Sequence, residues 1–467
     1  MSKDQHWSRR KFLKTGATAG ASMAGLGGIT FLTHPERVRG ANDRVRVAVV
    51  GIRGRGFDHI KGYAQEPNAE VAAVCDADEN VLAQRLADMQ KEGLRAPKTY
   101  IDYRKLLEDP SIDAVSIATP NHWHALMGIW ACHAGKDAYV EKPCSHNLWE
   151  GRQLVRAAQK YNRIVMHGTQ GRSAGGYQEG VQKIREGLIG EIYMSRGLCF
   201  KRRNTIGRAP EEPVPPGVHY DLWTGPAPLK PFTKNRFHYN WHWIWDTGNG
   251  DVGNQGVHEM DVARWGLGVK LPHKVSAIGG HFMFDDDQET PNTLTCNFEF
   301  DLPDGKRRML VFEVRQWITN TEDEIGTAGF GLGAADLPQV AGGVTKQPTS
   351  MVGDIFYGSK GYLAMSGYAT YKSWLGEDAE PGPTATRGFN CWANFLDCVR
   401  SRKPENLNAP IEEAHFSCAL IHLANASYRL GRTLRFDPET EQVIGDEEAN
   451  RLLRGTYRDP YRVPEQV

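Results

Sequence analysis

A glycine-rich turn, one following acid and two basic side chains downstream are the residues of this sequence best placed to do chemistry. Gly51-Ile52-Arg53-Gly54-Arg55-Gly56 follows the β-branched run Val45–Val50 and opens a helical stretch reaching about Gln65. Asp76 ends the next apolar run, Val71–Cys75, about 20 residues beyond the turn, the distance expected of a ribose-binding acid. A unit of strand, turn, helix, strand and acid binds a dinucleotide. The turn brings backbone close to the pyrophosphate, the helix N-terminus faces it, and the carboxylate accepts from the ribose 2′-hydroxyl. Arg53 stands where the usual pattern has its middle glycine, so Gly54 takes over the close approach and Arg53 lies along a phosphate. Asp76 favours NAD, because a carboxylate repels a 2′-phosphate. Arg53 and Arg55 leave NADP open.

The β/α alternation continues past this unit. Helices are expected at 83–92 and 103–108, and a strand at 113–118 stops at Thr119-Pro120-Asn121. An apolar helix over 122–134 and a strand over 137–141 follow. Ligands of such sheets sit beyond the carboxyl ends of the strands, so Thr119, Pro120, Asn121, His124, Glu141 and Lys142 should line the cofactor cleft. The order glycine turn, Asp76, Thr119-Pro120-Asn121-x-x-His124, Glu141-Lys142-Pro143 resembles the Gfo/Idh/MocA oxidoreductases. The resemblance implies that Lys142 meets both nicotinamide and substrate and is catalytic. A lysine beside a cationic ring and a desolvating substrate should also have a lowered pKa, which suits proton relay.

The stretch Gly248–Asp261 resembles that family's glycine-rich turn leading into a helix with D-x-x-x-H. His258 matches the histidine, implied to be a catalytic base for the substrate hydroxyl. Asn254 stands where the family often has Asp. The i, i+4 spacing puts the two on one helical face. Asn254 holds a hydroxyl but cannot ionise, so Asp246 or Asp251 is looked to for the missing charge. Arg172, after the sixth strand, is expected to contact substrate. Trp223, Trp241, Trp243, Trp245 and Trp265 crowd the same region, and aromatic faces suit sugar rings. His242 and Trp243 are expected at the substrate. His238 and His242 have metal-pair spacing but no third ligand near them in sequence, so no metal is expected.

These residues need scaffolding of two kinds. The expected fold class is α/β: an N-terminal Rossmann dinucleotide-binding domain over 41–168, then an α/β domain over 169–387 with an open, largely antiparallel sheet. In the second, a helix should open at 168–173 and run to 186. Strands are expected at 192–199, 275–284, 294–300, 309–314 and 361–365. Segments 203–236, 326–350 and 376–388, rich in Pro or Gly, read as long loops. Residues 388–467 should form helices at 392–399 and 411–430 and a tail packing back on both domains. The closing segment 455–467 is offered as a subunit arm, and the resemblance implies a homo-oligomer.

Residues 1–40 are set apart. Ser8-Arg9-Arg10-Lys11-Phe12-Leu13-Lys14 before a Gly/Ala-rich stretch reads as a twin-arginine export signal, which carries folded proteins to the periplasm. No later run is long enough to span a membrane, so the mature form should have no stable membrane span. The whole chain balances 56 basic against 56 acidic residues. This segment holds seven of the basic residues and two of the acids, so the remainder is mildly acidic. That disfavours nucleic acid as a partner. The eight cysteines are scattered with no C-x-x-C pair, which excludes a disulfide scaffold or zinc ribbon and reads as buried free thiols.

The expected activity is hydride transfer between a sugar or sugar-derivative hydroxyl and a tightly held nicotinamide cofactor. Outside the cytoplasm free NAD is not expected, so the cofactor must be regenerated in place. One alternative follows: a redox-neutral NAD-dependent glycoside hydrolase working through a transient keto-sugar, a departure from two-carboxylate hydrolysis. The other is a non-catalytic sugar-binding protein on the same fold.

Overall fold

The computed structural model describes residues 44–317, 320–322, 324–325 and 350–467. The export segment and nearly all of the expected loop 326–350 lie outside these residues. The chain starts as a doubly wound unit. Strands β1 (Val45–Val50), β2 (Ala69–Cys75), β3 (Lys98–Tyr100), β4 (Ala114–Ile117), β5 (Asp137–Val140) and β6 (Val165–His167) form one parallel sheet in the order β3-β2-β1-β4-β5-β6. Strands β4, β5 and β6 are buried at every position, as expected for strands covered on both faces. Helices α1 (Arg55–Gln65), α2 (Glu79–Lys91), α3 (Tyr103–Leu107), α4 (Asn121–His133) and α5 (Leu148–Lys160) make the crossovers. Helix α2 begins earlier than the sequence suggests because Asp78 caps it, accepting from the Asn80 N–H at 2.9 Å. The order reverses beside β1, so a crevice opens beyond the ends of β1 and β4.

After β6 the expected single helix is split. A 3₁₀ turn, Gln170–Ser173, precedes α6 (Gly175–Arg185), because Ala174 between them is extended. The second sheet has β7 (Ile192–Lys201), β8 (Lys274–Gly280), β9 (Thr293–Asp301), β10 (Arg307–Arg315), β11 (Ser350–Gly358), β12 (Gly361–Ser366) and β13 (Thr370–Leu375), with short edge strands. Its pairs are antiparallel except β7 with β10. Strand β8 stops at Gly280 instead of reaching Phe284: Gly279 and Gly280 weaken it, and Met283 beyond takes a left-handed φ of 72°. The run 376–388 is mainly loop but adds β14 (Glu380–Pro381) and β15 (Ala385–Thr386) to the sheet edge.

Helices α7 (Tyr220–Thr224), α8 (Gly250–Asn254) and α9 (Gly256–Leu267) follow β7 in sequence. Helix α9 packs on β7, β10 and β11; β10 alternates buried and open positions, while β7 and β11 each hold a run of four buried residues. Helix α10 (Cys391–Ser401) returns to the first sheet, where Trp392 packs on Tyr63 and Tyr139 at ring distances of 4.9 and 5.0 Å. Helix α11 (Ile411–Leu430) runs between α5 of the first domain and β8 of the second. Two short strands, β16 (Leu434–Asp437) and β17 (Gln442–Val443), and α12 (Glu447–Arg454) complete the chain. The closing tail, offered above as a subunit arm, docks on its own chain. Arg458 pairs with Asp221 at 2.6 Å, and the Tyr461 hydroxyl donates to Asp221 at 3.0 Å. Among the described residues no helix is long and apolar enough to cross a membrane.

Candidate active site

A cleft of about 350 Å³ runs from the glycine turn to α8. Its cofactor end is made by backbone proximity. Gly51 sits at φ 78°, and a Cβ there would lie 2.8 Å from the Ala118 carbonyl carbon. At Gly56 a Cβ would fall 2.1 Å from the Gly51 oxygen, so only glycine lets α1 leave the strand this tightly. Gly54, by contrast, faces open space within 4 Å, the approach a pyrophosphate needs. Asp76 receives the Ile52 N–H at 2.9 Å and the Asp78 N–H at 3.1 Å. Burial pushes its carboxyl up to about 6. Turn, acid and cradle therefore fit a dinucleotide, as the sequence implies. Arg53 is exposed on the cleft rim.

Arg55 does something the sequence did not suggest. Its Nε donates to Glu141 at 2.8 Å, so a guanidinium that lines the cleft is also the counter-ion of a buried carboxylate. His59 meets the same carboxylate oxygen at 3.1 Å, and the Lys142 N–H donates to Glu141 at 3.0 Å. Burial raises the Glu141 pKa, but Arg55 and His59 outweigh it and hold the carboxyl well below its usual range. Glu141 is thus an ionic anchor under the Lys142 backbone. His124 works similarly, with Nδ1 2.6 Å from the Pro143 oxygen and Nε2 2.7 Å from the Thr119 oxygen. Burial lowers its pKa to about 4, so near neutral pH the ring has one N–H and serves one carbonyl at a time. Thr119 and Pro120 line the cleft. Asn121 lines it too and donates to Asn249 at 3.1 Å, joining the two domains.

The Lys142 Nζ donates to the Asn254 backbone oxygen at 2.6 Å and lies 3.3 Å from its side-chain oxygen. Burial lowers its pKa to about 8, and Lys201 and Arg55 lower it further against the opposing pull of Glu141. Asn254 in turn donates to Asp251 at 3.2 Å. Asp251 is fully buried and holds the hub: Arg203 reaches it through Nε at 2.5 Å and Nη2 at 2.7 Å, and Gln316 donates at 2.6 Å. Of the two acids looked to for the charge missing at Asn254, Asp251 is the one in contact with it, one helical turn away, and it is itself paired with Arg203. Arg203 was not anticipated, because it comes from the chain just past β7 with no motif around it.

His258 is placed less directly than its spacing suggests. The helix is interrupted at Gln255, so Asn254 ends α8 while His258 lies in the first turn of α9, where its N–H bonds the Gln255 oxygen at 3.0 Å. The two do not share one continuous helical face. The His258 ring is edge-on to Tyr368 at 5.3 Å, and its buried Nδ1 has no hydrogen-bond partner. Burial, then the nearby Lys142 charge, lowers its pKa well below the ordinary value, so the ring is neutral. His242 lines the cleft, stacked on Trp241 at 3.6 Å. Burial takes its pKa down to about 3.

Three expected substrate contacts lie elsewhere. Arg172 is buried against Asp261 at 2.8 Å and Glu413 at 3.3 Å, a charge satisfied inside the second domain. Trp243 is a core residue lying under the Arg203 guanidinium at 4.7 Å, and its neighbours Trp241 and His242 face the cleft instead. Asp246 opens on a separate cavity and pairs with Lys230 at 2.5 Å and Arg236 at 3.5 Å. The 3₁₀ turn Asn240–Trp243 sends successive side chains to different sides. Tyr239 and the tail residue Tyr461 also line the cleft, and only the folded chain brings them there.

Known proteins agree with this architecture. Residues 45–169 match the Gfo/Idh/MocA oxidoreductase family, NAD-binding Rossmann fold, and residues 195–282 and 380–463 match that family's C-terminal alpha/beta domain. Together these matches span well over half of the chain, which belongs to the Gfo/Idh/MocA oxidoreductases and binds NAD in its first domain. Within that class, it is 32% identical over 204 residues to a glycosyl hydrolase family 109 protein of Shewanella putrefaciens, covering 39% of this chain and 44% of that protein. It is 30% identical over 152 residues to an alpha-N-acetylgalactosaminidase of Shewanella oneidensis, covering 32% and 33%. The matches thus span less than half the length of these curated relatives. The WlbA dehydrogenase from Bordetella pertussis, solved in complex with NADH and UDP-GlcNAcA, shares the fold with a TM-score of 0.58. Its identity is 20%, over 84% of this chain and 99% of that one.

Proposed function

We infer that this protein is a carbohydrate enzyme that oxidises a sugar hydroxyl with a cofactor retained in the cleft. The observation that carries the reading is Lys142: its pKa falls to about 8 at the junction between the NAD-binding crevice and the Asn254–Asp251 hub. NAD, when bound, supplies a hydride acceptor that can also give the hydride back. Lys142 orients the sugar hydroxyl and takes its proton, having a pKa near working pH. Asn254, held by Asp251, offers its amide to a neighbouring hydroxyl. His258, neutral and buried, keeps its Nδ1 free to accept a hydrogen bond, while the proton stays with the more basic Lys142. His242, Trp241 and Tyr239 form the wall against which a sugar ring packs.

A second reading continues from the same ketone. A carbonyl acidifies the adjacent C–H, so a neutral base in this site removes that proton and the glycosidic oxygen leaves. Water then adds, and the returned hydride makes the net reaction hydrolysis. The relatives named glycosyl hydrolase family 109 and alpha-N-acetylgalactosaminidase favour it. Incubation with a panel of glycosides, without added cofactor, separates the two. Many turnovers of free sugar support hydrolysis. A single stoichiometric reduction restarted only by a carbonyl acceptor supports net oxidation. A protein that never takes up nicotinamide defeats both. Export by the twin-arginine route and a homo-oligomeric state belong to this proposal. The first rests on Arg9 and Arg10 before the Gly/Ala-rich stretch, the second on the family resemblance.

A further inference from the structure

Three side chains that no motif connects meet beneath the active-site strands. Cys144 lies two residues past Lys142, His167 ends β6, and Cys418 is in the first half of α11. Each is 0% exposed. One ligand atom from each falls within 4.8 Å of the others. The sulfurs are 3.6 Å apart. That is far beyond a disulfide bond of about 2.05 Å. It is close to the spacing of roughly 3.8 Å that two metal–sulfur bonds of about 2.3 Å enclose in a tetrahedron.

The histidine adds an independent observation. Its Nε2 is buried and has no hydrogen-bond partner, while Nδ1 meets the Thr169 hydroxyl at 3.3 Å. An unpaired imidazole nitrogen inside a protein costs about 1–3 kcal/mol unless something binds it. A thiol–thiol hydrogen bond accounts for the two sulfurs, and the imidazole interacts with the Cys418 thiol inside the same cluster, the contacts that a shared cation would replace. A ring held at one nitrogen with the other free is how metal-binding histidines are oriented.

We propose that Cys144, His167 and Cys418 form a buried site for one thiophilic d¹⁰ cation, zinc or cuprous copper. Two thiolates and one imidazole select such ions over magnesium or calcium, which take oxygen ligands. Binding displaces the thiol protons to solvent and sets two thiolate charges against the cation. The cation ties the turn after β5, the end of β6 and α11 together, and so fixes the backbone that carries Lys142. Because the site is closed, loading accompanies folding and release is slow. The site is independent of the substrate and of whether the reaction is oxidation or hydrolysis.

The test uses the full chain, produced under reducing conditions in zinc- or copper-supplemented medium and dialysed against EDTA. Elemental analysis should find about one cation per folded chain. Refolding with Co²⁺ should give a thiolate-to-cobalt charge-transfer band. Cys418→Ser should lower retained metal by about tenfold or more, and His167→Cys should retain it with a shifted cobalt spectrum. Copper found in place of zinc supports the site equally and identifies the ion. Folded, reduced wild-type protein with less than about a tenth of an equivalent under both supplements, and no cobalt band, overturns the proposal whatever the variants do. Full retention of the metal by Cys418→Ser overturns it as well.

Discussion

The two ends of the cleft are built on different principles. The cofactor end, from Gly51 to Asp76, is local: one strand, one turn, one helix and one acid, positioned by steric necessity at Gly51 and Gly56. The substrate end is a relay of distant groups. Arg203 follows β7, Asp251 and Asn254 sit on α8, Gln316 follows β10, and Lys142 follows β5; all are joined through hydrogen bonds. Steric close approach tolerates many surroundings, because it depends on a few adjacent residues. A buried ionic hub does not: removing one partner strands the others without water.

Variants should separate the two ends, with the largest effect at their junction. Lys142→Met should lower turnover by about 10²–10⁴-fold while NAD uptake, followed by fluorescence titration, is unchanged. Unchanged turnover would remove Lys142 from the chemistry. In wild type, kcat/KM should rise as pH increases through about 8, where the lysine becomes neutral, and that limb should vanish in the variant. A flat profile across this range would break the link between the two ends.

Arg203→Met should come next. It leaves Asp251, fully buried, without its main counter-charge, at a cost of about 3–5 kcal/mol that calorimetry would detect. A melting temperature equal to wild type would mean that the hub is not what holds the substrate end. Asp76→Ala should be milder, weakening NAD by roughly 10–100-fold through loss of a charged hydrogen bond, with little change in melting. In wild type, NAD affinity should fall as pH drops through about 6, because the protonated Asp76 is a weaker, uncharged acceptor. An affinity independent of pH between about 5 and 7 would contradict the assigned contact. Smallest of all, Asp246→Asn should leave kcat/KM within about twofold of wild type, since Asp246 lies outside the cleft and its ion pairs with Lys230 and Arg236 are partly open to solvent. A large loss there would move the substrate site to the second cavity.

Legibility followed the same division. Strands β1, β2, β4 and β5, their ends and the cleft residues from Gly51 to Lys142 are legible because the Rossmann pattern repeats over short distances, whereas β3 and β6, three residues each, are too short to show one. Within it, Arg55 is legible as a cleft residue, but a sequence displays its charge and not its partner Glu141 across the sheet. In the second domain, five of the seven main strands are visible by alternation or apolar runs, and β13 is not. Strand β11 escaped because Gly353 and a buried Asp354 interrupt its apolar run. Strand β8 was drawn too long across its glycines. Arg172 carried the charge expected of a substrate ligand, but Asp261 and Glu413 satisfy it internally.

By itself, then, the sequence determined the class of chain. Hydrophobic periodicity, glycine spacing and one acid specify a dinucleotide crevice, because these constraints act between residues near one another along the backbone. It also specified that Lys142 follows a strand and that His258 is close to Asn254. Tertiary structure decided which charges are spent on each other and which face the cleft. It interrupted the helix at Gln255, turned Trp243 inward and Trp241 outward, and drew Tyr461 of the tail to the cofactor crevice. It also brought Cys144, His167 and Cys418 within 4.8 Å of one another. Ion pairing and the side-chain cluster act through space between groups as far as 274 residues apart, and no local pattern encodes that distance.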